Sequence, residues 1–245
     1  MSHLKEARRN IKALAVIIAL TLSSAIMNAQ PMMMGEPIRI SVHASPLISW
    51  YRSDNTKVVN TGSRPGFNVG LDVTRNFSRN YAFTVGIGIT NVGGKLATQD
   101  SIGLKLSNKE KVINQEVPAG SVVKYGMTYL TFPVGLKLQT SPIGYYTIFT
   151  NIGFDPMICV GGKISIPEKR VERQNAISEV RRLNFGYHIQ AGVEYELGGG
   201  TTVILGVGYQ NNFCDCTKDN DKKKYNQPID RITQHLITTQ IGLLF

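Results

Sequence analysis

The sequence predicts an all-β fold: an eight-stranded antiparallel transmembrane β-barrel that follows a cleaved export signal. Three observations predict it. First, from Leu183 to Leu197 every odd position is apolar or aromatic (Leu183, Phe185, Tyr187, Ile189, Ala191, Val193, Tyr195, Leu197), and every even position is polar or Gly. A tilted strand rising about 3.3 Å per residue crosses a hydrocarbon layer of about 25 Å in such a run, whereas strands of soluble sheets average about five or six residues. Second, beyond the N-terminal segment no stretch is long and apolar enough for a membrane helix, so membrane residence requires strands closed into a barrel. Third, the connections between strands alternate between short and long, the asymmetry of an outer-membrane barrel with short periplasmic turns and long outer loops.

The first element is the export signal, residues 1–29. Lys5, Arg8, Arg9 and Lys12 precede an apolar run at 13–22, followed by Ser23, Ser24 and Ala25 and then Asn28-Ala29. The mature start falls between 26 and 30. The apolar run is too short for a membrane anchor, which needs about twenty residues. Residues 30–245 then form one barrel domain.

Period-two patterning places strands at 38–52, 64–75, 81–97, 124–139, 145–163, 183–197, 201–214 and 232–245. Short turns at 76–80, 140–144 and 198–200 fall at one end; long charged loops at 53–63, 98–123, 164–182 and 215–231 fall at the other. Phe67, Val69, Leu71 and Val73 alternate with Asn68, Gly70 and Asp72, and Val203, Leu205, Val207 and Tyr209 alternate with Ile204, Gly206, Gly208 and Gln210, where Ile204 is the misfit. Tyr81, Tyr145, Tyr146 and Tyr195 are expected in a periplasmic aromatic girdle, and Trp50, Tyr51, Tyr125, Tyr209 and Phe213 in an outer one. A soluble sandwich alternates too, but does not account for the strand lengths, the loop asymmetry and the export signal together.

The C-terminal strand, with Ile237, Thr239, Ile241, Leu243 and a terminal Phe245, resembles the strand read by bacterial barrel-assembly machinery. The stretch Tyr129-Leu130-Thr131-Phe132-Pro133-Val134-Gly135-Leu136-Lys137 resembles a strand of the PorT-like family of outer-membrane barrels. That resemblance implies residence in the outer membrane and an accessory part in type IX protein secretion, with other secretion-system envelope proteins as partners. The alternatives are a general envelope or adhesion barrel without a secretion role and, third, a lipid A hydrolase.

By parity the lumen receives Arg39, His43, Asp72, Lys137, Asn151, Asp155, His188, Gln190, Glu194 and Glu196. An eight-stranded barrel is just wide enough for its own side chains, so these are expected to pair as a polar plug, leaving no path for folded cargo. His43-Ala44-Ser45 has the spacing of a hydrolase dyad, but its face is the lumen and the sequence shows no carboxylate to orient the imidazole. Glu194 and Glu196 are paired carboxylates, read as partners for Arg39 or Lys137 rather than as an acid and base. Gly86, Gly88, Gly206 and Gly208 lie inside strands with no following helix, which relieves lumen crowding and makes no phosphate turn. Cys159, Cys214 and Cys216 fall short of a zinc pattern, although a disulfide between Cys159 and one of the other two is open. The chain is therefore read as no enzyme, with no catalytic, metal or cofactor-binding residues.

Excluding residues 1–29 leaves 23 Lys and Arg against 16 Asp and Glu, a net charge of +7. The densest clusters are Lys222, Lys223 and Lys224 in the last loop and Lys169, Arg170, Arg173, Arg181 and Arg182 in the third, interleaved with Glu168, Glu172, Glu179, Asp219 and Asp221. Nucleic acid is no partner for an envelope barrel. The expected partners are the lipid bilayer and outer-leaflet lipopolysaccharide, with the barrel itself monomeric.

Overall fold

The computed structural model describes residues 38–245 except 57, 100, 101, 109, 110, 168–170, 176, 178, 179 and 217–230; over 98, 102–108, 111–117 and 171–173 the description is of backbone. The expected signal segment at 1–29 lies outside the described residues.

Twelve strands follow one another: β1 (Arg39–Ser53), β2 (Val58–Ser78), β3 (Tyr81–Thr98), β4 (Ile102–Asn108), β5 (Lys111–Val117), β6 (Val122–Thr131), β7 (Val134–Gln139), β8 (Tyr146–Ile166), β9 (Val171–Asn175), β10 (Leu183–Gly198), β11 (Thr201–Asn212) and β12 (Ile232–Leu244). They build a ring of eight wall positions, because β6 and β7 share one position and β4, β5 and β9 stand off the ring. β10 pairs with β8, and β12 pairs with β1, so the antiparallel wall has no open edge. Main-chain bonds between Ile40 and Phe245, at 2.8 and 3.1 Å, complete that last seam.

Pro133 explains why one wall position carries two strands. It has no N–H to give to the ladder, yet the register runs straight through it: Thr131 lies opposite Gly88 and Val134 opposite Val85. Phe132 N donates to Pro156 O at 2.9 Å and Gly86 N to Pro133 O at 2.9 Å, so the wall stays hydrogen-bonded across the break.

The outer wall is apolar over a continuous belt that includes Val42 and Ile48 on β1, Val69 and Leu71 on β2, Ile87 and Ile89 on β3, and Ile189 and Val193 on β10. So wide an exposed apolar surface far exceeds the few hundred Å² found on soluble monomers and requires lipid around it. The tight turns and both ends of the ring lie at one rim, and the long connections at the other, the periplasmic and outer rims respectively. At the periplasmic rim Gly198, Gly199 and Gly200 all have positive φ (90°, 65° and 84°), a left-handed turn that side chains disfavour.

The strands extend further outward than expected on one side. β2 begins at Val58, inside the segment read as a loop, and β8 runs to Ile166. The 98–123 loop contains the β4–β5 hairpin, and β9, inside the 164–182 loop, bridges β8 to β4 through Ser107 opposite Asn175. On this extension the polarity of the wall inverts. Within the belt Val134 and Leu136 point out and Lys137 points in; on the same wall position above it, Tyr125, Met127 and Tyr129 point in and Lys124 points out. The upper barrel thus has the apolar interior of a soluble β protein, because its exterior faces water and not lipid.

Tyr51 and Tyr125 correct the girdle expectation. Both are buried in this upper core, edge-to-face with ring centroids 6.1 Å apart, and neither reaches the lipid interface. Trp50 does face outward, stacked on His235 at 5.8 Å, and Tyr209 Oη lies 2.8 Å from His235 Nδ1. The periplasmic tyrosines stand exposed as expected, with Tyr146 against Tyr195 at 4.9 Å.

Candidate functional site: a sealed polar lumen

Inside the belt, alternate positions on eight wall strands converge, and glycines make room for the large polar groups among them. A Cβ on Gly86 would lie 2.1 Å from Asp72 Oδ1, and one on Gly153 would lie 2.7 Å from His188 Cε1. The glycine repeat is thus a consequence of side-chain crowding in a narrow barrel, as the period-two spacing implied.

Three close pairs of ionisable side chains occupy this space. His43 Nδ1 lies 2.9 Å from Asp72 Oδ2, His188 Nδ1 lies 2.9 Å from Asp155 Oδ1, and Lys137 Nζ pairs with Glu194 Oε1. Lys137 also sits over the Phe149 ring, 5.0 Å from its centroid. A polar chain crosses four wall positions: His43 Nε2 to Asn68 Oδ1 (2.8 Å), Asn68 Nδ2 to Thr90 Oγ1 (2.6 Å), Thr90 Oγ1 to Thr131 Oγ1 (2.7 Å). Arg39 donates to Thr202 Oγ1 at 2.9 Å, and Asn151 Nδ2 to Thr84 Oγ1 at 3.3 Å; Gln190 bonds Gln240. Asp155 Oδ2 is buried with no hydrogen-bond partner among the described residues.

A cavity of about 130 Å³ remains between these groups. It has room for a few waters and none for a polypeptide. Below it Phe149, Ile204 and Leu244 pack together, so Ile204, the misfit of the alternation, seals the periplasmic end. Above it stands the apolar outer core of Leu47, Tyr129, Met157 and Leu236.

Of the residues read into the lumen, nine arrive there; Glu196 does not, and is exposed at the periplasmic rim. The bulge between Glu196 and Gly198 that ends the β10–β11 ladder accompanies its exit. Glu194 therefore has Lys137 as its partner, and no carboxylate pair forms. The His43–Ser45 reading also changes. Asp72 brings to the imidazole a carboxylate that the sequence did not reveal, because it arrives from β2, 29 positions later in the chain, but His43 Nδ1 makes no aligned hydrogen bond among the described residues. The outward ring nitrogen, however, meets Asn68 and not Ser45, so the arrangement does not activate the serine.

Cys159 and Cys216 are buried free thiols in the outer core, and Cys214 is half-buried. Asn184 Nδ2 donates to Cys216 Sγ at 3.3 Å, and burial pushes that thiol, beyond the end of β11, up to about 12. Among the described residues no three His, Cys, Asp or Glu side chains converge as a metal-ligand set. Lys222, Lys223 and Lys224, with Lys169 and Arg170, lie outside the described residues; Arg181 pairs with Asp215 at 3.3 Å.

The closed wall, lipid-facing belt and filled lumen define an outer-membrane barrel. Residues 28–218 match the model of the outer membrane protein beta-barrel domain, and the chain belongs to that family. Similar solved structures include Neisserial surface protein A (7% identity, 86% of this chain and 98% of that one, TM-score 0.44). Others are OprG from Pseudomonas aeruginosa (11% identity, 86% and 97%, TM-score 0.44) and the attachment invasion locus protein Ail of Yersinia pestis (14% identity, 87% and 100%, TM-score 0.40). No curated protein sequence matches the chain. The protein resides in the outer membrane, in contact with lipid and lipopolysaccharide.

Proposed function

We propose that this barrel is a non-enzymatic accessory component of type IX protein secretion, acting through its outer extension on another envelope protein while its lumen stays shut. The observation that carries the reading is the β4–β5 hairpin, joined through β9 to β8 and standing off a barrel whose interior is already filled. Long segments that a barrel does not need for closure are where binding function concentrates. The stretch 129–137, which resembles the PorT-like family, supplies the link to secretion. The first 29 residues are read as a signal removed on export, which N-terminal sequencing of the membrane form checks.

Replacement of residues 100–120 by a short Gly-Ser linker is the test. The variant is expected to insert with normal amount and heat-modifiable gel mobility, yet to impair release of secreted cargo. Normal secretion from a normally inserted variant removes the docking role and leaves the general envelope or adhesion barrel.

A further inference from the structure

A second feature lies on the outside of the barrel wall. On three neighbouring wall positions the outward face passes from apolar to polar at one height: from Ile89 to Asn91 on β3, Leu130 to Thr128 on β6, and Val160 through Gly161 to Lys163 on β8. That height is the outer edge of the lipid belt. Just above it a cleft of about 410 Å³ gathers Arg64, Lys95, Lys124 and Lys163, with Phe67 at its lower lip and, among the described residues, no acidic side chain in its lining.

Two irregularities of the wall build this cleft. The β2–β3 ladder is interrupted between Ser63 and Phe67, where β2 carries one residue more than its partner. Ser49 of β1 fills the gap, its Oγ lying 2.8 Å from both the N and the O of Gly93. β2 therefore arches away from the wall, and the Arg64 side chain lies across the outer face of β3 and β6, where Nη1 donates to Tyr125 O at 3.4 Å. A Cβ on Gly126 would fall 2.1 Å from Arg64 Nη1, and one on Gly93 would fall 2.7 Å from Arg64 Cδ. Two glycines thus form the bed of the guanidinium. The second irregularity is the register shift in β8 between its pairings with Thr128 and Tyr129, which turns Lys163 outward opposite Gly126.

The cations are set against one another. Lys95 lies directly opposite Lys124 in the β3–β6 ladder, the like-charge cross-strand arrangement that destabilises a sheet. Among the described residues, none of the four has an ion-pair partner. A polyvalent anion removes that conflict. Its place at the end of the acyl-chain belt, with Phe67 in the same cleft, matches the phosphate of a lipid held by its chains below and not an anion arriving from bulk water. We propose that this cleft is a binding site for the phosphate group of an outer-leaflet glycolipid, with Arg64 as the fixed guanidinium and Lys95, Lys124 and Lys163 as the surrounding charges.

The test uses the mature barrel folded in zwitterionic detergent and titrated with bis-phosphorylated lipid A, with dephosphorylated lipid A and with inorganic phosphate, bound lipid being counted by native mass spectrometry. The variant K95Q/K124Q/K163Q is compared with K222Q/K223Q/K224Q, which removes the same charge from the last loop. The wall variant is expected to retain phosphorylated lipid A at least about tenfold more weakly, while the loop variant matches wild type. Dephosphorylated lipid A is expected to bind wild type no better than the wall variant, and inorganic phosphate is expected not to displace the lipid. Equal loss in both variants, retention by the wall variant within about twofold of wild type, or displacement by stoichiometric inorganic phosphate overturns the assignment. K124Q alone gives an independent reading: it is expected to raise Tm in zwitterionic detergent, by relieving Lys95, and to lower it relative to wild type in phosphorylated lipid A. A shift of the same sign in both media also overturns it.

Discussion

The lower and upper interiors of this barrel are made by the same wall strands, yet they are opposite in chemistry. Around the β6–β7 wall position, Lys137 meets Glu194 in a polar lumen, and a few residues further out Tyr125, Met127 and Tyr129 pack with Met157, Cys159 and Leu236 in an apolar core. What changes between them is the solvent outside. Where lipid surrounds the wall, the outward face satisfies the apolar requirement and the interior is free to be polar, with most of its polar groups drawn into pairs and hydrogen-bonded chains. Where water surrounds the wall, the interior has to hold the extension together by burial, as in any soluble sheet. The barrel therefore has two stabilising devices stacked along its axis, and each responds to different substitutions.

The lower device depends on opposite charges meeting in a space closed to water. Lys137→Met leaves Glu194 buried without its cation, and is expected to destabilise the barrel by about 3–5 kcal/mol in urea unfolding from detergent. K137M/E194M, which removes both charges, is expected to recover most of that loss. Failure of the double variant to recover would mean that the pair stabilises the lumen beyond mutual neutralisation.

The upper device answers to volume. Leu236→Ala in the outer core is expected to cost about 2–4 kcal/mol, by lost burial plus the cavity left behind. Its neighbour Ile237 points outward, opposite Ile48, and Ile237→Ala is expected to cost less, because lipid or detergent fills the space that the side chain leaves. Equal costs at 236 and 237 would erase the distinction between the upper core and the lipid face.

The outer core also shields its thiols, which labelling reads without changing stability. In the folded barrel at pH 8 a maleimide is expected to label Cys214, and to reach Cys159 and Cys216 only after unfolding. The Cys216 thiol is raised to about 12, so raising the pH to 9 still leaves it protonated and unreactive while the fold holds. Labelling of Cys216 at neutral pH would show that the outer core opens.

Strand positions and their lipid-facing side were legible in the chain itself, because a period of two is a local property and a membrane span demands a long run of it. Leu183 to Leu197 needs no partner to be read as a two-faced strand. The turn glycines were legible for the same reason. The inversion above the membrane also left a trace, since the apolar parity moves from odd at Tyr125, Met127 and Tyr129 to even at Val134 and Leu136. Period alone, however, does not say which face is inside, and that is why Tyr51 and Tyr125 were placed at the lipid interface.

Partnership was not legible. Asp72 reaches His43, Glu194 reaches Lys137 from 57 positions away, and Glu196 leaves the lumen, all through registers between strands that local pattern does not specify. The outward arch of β2 at Arg64 depends on one surplus residue relative to β3 and on Ser49 filling the gap from β1, a three-strand arrangement with no signature in any single segment. A closed outer-membrane barrel was readable along the chain, since alternation and the cost of unpaired backbone in lipid leave one solution. Which charges meet, and which among the described residues lack an ion-pair partner, followed from the assembled sheet, because electrostatic neighbours are set by register across it and their interaction falls off over a few ångströms.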